Sequence, residues 1–190
     1  MRINVLLAGS ILSLACAAQA QDLENLHSKG KVSYHNRFST GVLAGGEYGL
    51  VTGSVTTVHG VALGHWTIGA GIGIEGYERW RTVPLFGSLS YHFCGPAASG
   101  VFLSFNAGHG FGRLLENRDG LEAGTTKGGP MVNPMIGYQI TASKFNISLA
   151  AGYKRQQMGG NYVDTFNGSF SYSIEETMDR FLFQLGLGIR

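Results

Sequence analysis

Three groupings in the 190-residue sequence have residue types and spacing that invite chemistry. Gly71-Ile72-Gly73-Ile74-Glu75-Gly76 spells G-x-G-x-x-G, a pattern that cradles a pyrophosphate when the glycines turn a strand into a helix. Residues 77–84 show no helical periodicity, and the glycines continue an every-second-residue series, so the nucleotide reading is dismissed. Ser88, Ser90 and His92 offer a nucleophile and a base. Catalysis would need the base touching the nucleophile and a third group orienting the base. On one strand face such neighbours stand about 7 Å apart, so these residues do not form a triad by themselves. His92 reads instead as a hydrogen-bonded interior group. Glu116, Asp119 and Glu122 share one long segment without metal-ligand spacing and read as a solvated loop. No catalytic residue, cofactor or metal is expected.

The elements that carry these residues are legible from composition and period. Only 14% of residues are charged and 44% are hydrophobic, with 30 glycines but 4 prolines. Soluble domains carry about 25% charged residues. The 14 basic and 12 acidic residues show no clustered excess, which argues against nucleic acid as a partner. Residues 1–20 form a secretory signal peptide: Arg2, an apolar stretch over 3–14, and Ala18-Gln19-Ala20 as the cleavage site. Lipoprotein processing at Cys16 is disfavoured by Ser13. Cleavage leaves Cys94 as the mature chain's one cysteine, so neither an intrachain disulfide nor a cysteine zinc site is expected there. Residues 21–36 read as a short periplasmic leader, and 37–190 as one domain.

That domain alternates. Trp66, Ile68, Ala70, Ile72 and Ile74 oppose Thr67, Gly69, Gly71, Gly73 and Glu75. Phe145, Ile147, Leu149, Ala151 and Tyr153 oppose Asn146, Ser148, Ala150, Gly152 and Lys154. Eight such segments of about ten residues are predicted, with tight turns alternating with longer loops, the longest over 113–128 and 158–179. An eight-stranded barrel has an interior just wide enough for side chains, which suits the small phase and would be overfilled by the aromatic one. The apolar phase therefore faces outward, into lipid. The fold predicted is all-β: a transmembrane eight-stranded antiparallel up-and-down β-barrel. Phe38, Trp66, Tyr91, Phe93 and Phe145 are expected at the periplasmic headgroup belt. Tyr48, Tyr77, Trp80, Phe111, Tyr153 and Phe181 are expected at the outer one.

Within that frame the charges acquire places. Glu47, Glu75, Lys154 and Arg180 fall in the inward phase near the outer strand ends and are predicted to form a neutral plug, because charges in a narrow barrel are costly unless paired. Closure should bring Arg180 beside Glu47. Arg79, Arg81 and Arg155 lie at the outer rim, where they are predicted to contact phosphates of surface glycolipid.

The run from Gly69 to Tyr77, then Val83-Pro84-Leu85-Phe86 and Tyr91-His92-Phe93, resembles the small eight-stranded outer-membrane β-barrel proteins of Bacteroidota-type bacteria, broadly similar to the OmpA, OmpX and OmpW barrels. The resemblance spans essentially the whole mature chain. It implies the bacterial outer membrane as location and recognition of the alternating last strand by the barrel assembly machinery. It also implies a structural or surface-interaction role without chemistry. Outer-membrane lipids and lipopolysaccharide are the expected partners, with an extracellular ligand of the long loops. The alternatives are a narrow channel or hydrophobic-ligand conduit, and an outer-membrane lipid-modifying enzyme.

Overall fold

In the computed structural model the described residues are 32–46, 49, 51–77, 80–114, 121–142, 145–164 and 171–189. They form nine strands: β1 (Ser33–Ala44), β2 (Val51–Leu63), β3 (Trp66–Gly76), β4 (Trp80–His92), β5 (Gly100–Leu114), β6 (Leu121–Lys127), β7 (Gly129–Ala142), β8 (Phe145–Asp164) and β9 (Ser171–Ile189). All but β6 pair in an antiparallel ring, and β9 pairs with both β8 and β1, so the barrel is closed with eight strands. β1 starts at Ser33, inside the segment read as leader. The β2–β3 connection is the two-residue turn Gly64-His65, where Gly64 at φ 58° adopts the left-handed conformation that a tight hairpin turn demands.

The faces are arranged as lipid requires. Along β8, Phe145, Ile147 and Leu149 are exposed, Leu149 to 63%, while Asn146 and Ser148 are buried at 1% and 3%. Repeated on each barrel strand, this arrangement would be intolerable in water, and closure pairs the backbone groups that hydrocarbon cannot satisfy. Phe38, Trp66, Phe93 and Phe145 are exposed in the lower belt, with Tyr91 edge-on to Trp66 at 4.9 Å. Phe111, Tyr153 and Phe181 are exposed in the upper belt. A fold held by this many ladder hydrogen bonds should survive mild detergent, so the unboiled protein should migrate differently from the boiled one on electrophoresis. Identical migration, or recovery from the periplasm without detergent, would contradict the barrel.

Two expectations about the faces need correction. Tyr77 and Trp80, assigned to the outer belt, are buried at 3% and 0% and point inward. Tyr77 shares the phase of Glu75, and Trp80 that of Thr82, so strand alternation turns both rings into the lumen. The interior also admits large side chains, among them Phe86 and Phe102. It does so because neighbouring strands present glycine beside them. Phe86 lies in register between Gly71 and Gly108, and Phe102 faces Gly137. A Cβ on Gly71 would sit 2.5 Å from the Phe86 ring, and one on Gly137 2.5 Å from that of Phe102.

The two long loops are partly strand. β8 and β9 remain paired as far as Val163↔Ser171, ten residues beyond the Tyr153↔Phe181 belt pair, a rise of about 30 Å along the strands. β6 adds to this hairpin as its third strand. It pairs with the same edge of β8 as β7, and Gly128 separates the two strands; a Cβ there would meet the Gly110 carbonyl at 2.2 Å. A three-stranded arm thus projects from one side of the barrel.

Candidate functional site

The charges predicted to plug the lumen begin with Glu75 on β3 and Lys154 on β8. They stand on strands far apart in the ring, yet both point to the axis and are buried. The Lys154 ammonium donates to both carboxylate oxygens of Glu75. Ser54 Oγ donates to Oε1 at 3.3 Å and Tyr77 Oη to Oε2 at 3.2 Å. Four hydrogen bonds therefore fill the roughly four acceptor sites of a carboxylate. Such saturation makes a buried ion pair tolerable, since desolvation would otherwise outweigh attraction. Arg180 is buried beside the pair, in register with Lys154, its guanidinium 6.0 Å from the Tyr77 ring centroid. Glu47, its predicted partner, lies outside the described residues.

Around this pair packs an apolar cluster of Leu43, Tyr77, Trp80, Met135, Met158 and Leu182, which periodicity did not reveal; Leu182 and Met135 stand in register with Gly152, two residues to the periplasmic side of Lys154. Trp80 Nε1 donates to Glu176 of the arm at 3.0 Å, tying the cluster to β9. Alongside the ion pair the void is about 10 Å³, bordered by Arg37, Asn106 and Gln184 among others, which is roughly the space of one water. The arrangement is an occlusion: a saturated ion pair packed among apolar side chains.

Toward the periplasmic end, Phe102 is held between two nitrogen-bearing groups. The Arg37 guanidinium lies 5.4 Å from its centroid and the His92 ring stacks on it at 5.4 Å. Arg37 escaped sequence reading because it sat at the edge of the presumed leader, although its odd-numbered phase matches buried His35 and Ser39. His92 forms no serine relay: Ser90 Oγ donates to Ser104 Oγ at 3.0 Å instead. Among the described residues no three His, Cys, Asp or Glu side chains gather as a metal site. Glu116 and Asp119 lie outside those residues.

At the outer rim the three predicted arginines part company. Arg155 is 55% exposed and pairs with Asp179 at 3.7 Å. Arg81 is exposed on β4, directly opposite Arg113 of β5. Arg79 lies outside the described residues.

A closed ring of eight antiparallel strands, apolar outside and polar inside, defines the class: an outer-membrane β-barrel of the bacterial envelope. Among solved structures, the chain is similar to Neisserial surface protein A, with TM-score 0.57 and 10% identity over 84% of this chain and 98% of that one. At that identity the likeness establishes the fold alone. The translocator domain of the autotransporter NalP from Neisseria meningitidis was also matched, at 12% identity over 94% of this chain and 97% of that one, but its TM-score of 0.26 carries no weight. No family model matches the sequence, and no curated protein matches it.

Proposed function

We propose that this protein is a non-enzymatic outer-membrane barrel whose role is surface interaction through the β6–β8–β9 arm, on a lumen kept shut. The observation that carries the reading is an edge of the arm that no strand pairs with among the described residues. Residues 171–180 of β9 pair with β8 on one side, while the ladder to β1 ends at Ala44↔Phe181. A row of backbone donors and acceptors standing outside the membrane is what an added strand from a partner recognises. In this reading the partners are an extracellular ligand of the arm, outer-membrane lipids including lipopolysaccharide around the belt, and the assembly machinery during biogenesis. The kinship with OmpA-, OmpX- and OmpW-type barrels of Bacteroidota belongs to the same proposal and is supported by strand number and by the resemblance of sequence.

The channel alternative is disfavoured by the occlusion, and the enzyme alternative by the absence, among the described residues, of a serine–histidine contact at His92. Purified protein in a planar bilayer should give no resolved conductance steps. Steady steps from the wild-type barrel would overturn the closed reading. A variant with the arm cut back to a short turn should still show heat-modifiable migration but lose binding to the surfaces that intact protein binds. Equal binding by both would remove the arm from the function.

A further inference from the structure

The register of β4 and β5 sets a pattern on the outer face that ordinary strand pairing does not explain. Arg81 and Arg113 stand directly opposite one another, both exposed. Like charges so placed repel across a strand pair. Among the described residues no carboxylate pairs with either arginine, in contrast to Arg155 with Asp179. Below them the next outward pairs are Val83 with Phe111 and Leu85 with His109, then Gly87 with Ala107, then Leu89 with Phe105. Val83, Phe111, Leu85, Leu89 and Phe105 are all exposed. Ala70 of β3 adjoins Gly87, so Ala70, Gly87 and Ala107 make a low step, three strands wide, in an otherwise bulky apolar wall.

The dimensions of this track match a lipid. From Arg81 to Gly87 is six residues, about 20 Å along the strand. A strand tilt of about 40° turns that into a depth of about 15 Å. Half of a hydrocarbon core is also about 15 Å. The arginine pair thus sits at headgroup height and the low step near the level where acyl chains end.

We infer that Arg81 and Arg113 together clasp one phosphate of an outer-leaflet glycolipid, whose acyl chain lies along Val83, Phe111 and Leu85 toward the step at Gly87 and Ala107. Two planar guanidinium forks each offer paired N–H donors to phosphate oxygens, and the shared anion turns their repulsion into a binding surface. The inference deepens the lipid-partner part of the proposed function and rests on it. It moves the phosphate site from the three arginines expected by sequence to Arg81 with Arg113, since Arg155 already has Asp179.

The test measures binding of phosphorylated lipid A, its dephosphorylated counterpart and inorganic phosphate to the full-length barrel in mixed micelles. Wild type should bind the phosphorylated lipid at least about tenfold better than the dephosphorylated one, the scale of lost charged hydrogen bonds. Arg81→Gln with Arg113→Gln should lose that preference while keeping heat-modifiable migration, and Arg155→Gln should keep it. Binding by the double variant equal to wild type would overturn the arginine site yet leave the lipid-partner reading standing. No phosphorylated lipid bound by wild type would bring down both. Displacement of the lipid by millimolar inorganic phosphate would show a bare anion site and overturn the assignment to glycolipid.

Discussion

Glu75→Gln should lower the urea midpoint of unfolding sharply, by the equivalent of about 3–5 kcal/mol. Ser54 and Tyr77 donate to different carboxylate oxygens, so the single amide oxygen can keep one of these two hydrogen bonds. What it cannot do is balance the Lys154 ammonium, which is buried and donates to both oxygens of the carboxylate. The large loss comes from that stranded charge, not from the worth of the pair. Lys154→Met added to Glu75→Gln should therefore recover most of the loss, because an apolar side chain needs no counter-charge. If Lys154→Met deepens the loss, the lysine is stabilised by something other than Glu75. The same variants separate stability from closure: with the surrounding apolar cluster of Trp80, Leu43 and Leu182 intact, the double variant should stay non-conducting.

Gly71→Val should be nearly as damaging, for a reason unrelated to glycine's flexibility. Its Cβ would stand 2.5 Å from the Phe86 ring and 3.0 Å from the Thr57 carbonyl oxygen. Phe86 has little room to retreat, since it is buried in a cluster with Val58 and Met131. Overpacking a filled interior costs about 1–3 kcal/mol, and removing a buried aromatic about 3–5 kcal/mol. In Gly71→Val with Phe86→Ala the new methyl groups occupy the vacated space, so the combined loss should fall short of the sum by at least about 1 kcal/mol. Additive losses, measured as urea midpoints, would mean that Gly71 and Phe86 do not pack as a unit. Phe102 with Gly137 should behave likewise.

The outer wall was readable because hydrocarbon imposes a demand on every second residue, and the run Trp66, Ile68, Ala70, Ile72, Ile74 answers it without interruption. The lumen makes no equal demand. It accepts Ser148, Phe102 or Lys154 alike provided the neighbouring strand compensates, and compensation is a matter of register, which one strand's pattern does not contain. Tyr77 and Trp80 were a different case. Their inward phase can be counted from Glu75 and Thr82, but an aromatic residue at a strand end also suits the headgroup belt, and the two signals conflict there. The inward placement of Glu75 and Lys154 followed from period alone. Their meeting across the lumen did not, because it depends on how far the strands are sheared on closing. The arm stayed hidden for a simple reason: above the membrane neither face must be apolar. The β9 stretch Ser171-Tyr172-Ser173-Ile174-Glu175-Glu176-Thr177 consequently mixes polar residues on both sides and reads as loop.

The β1–β9 seam joins nine register pairs, against nineteen between β8 and β9, and it alone unites the two ends of the domain. Every other barrel ladder links strands that follow one another closely along the chain, and such local contacts form early. The seam must wait for the whole sheet, and its closure entropy is that of the longest loop in the molecule. Until then both outermost strands carry unpaired N–H and C=O groups, each costing several kcal/mol in hydrocarbon. An unzipped sheet of this sequence has no comfortable place in a bilayer. Kinetically, insertion and closure must coincide, or a strand lent by another sheet must hold the edge of β1 or β9 until its own partner arrives.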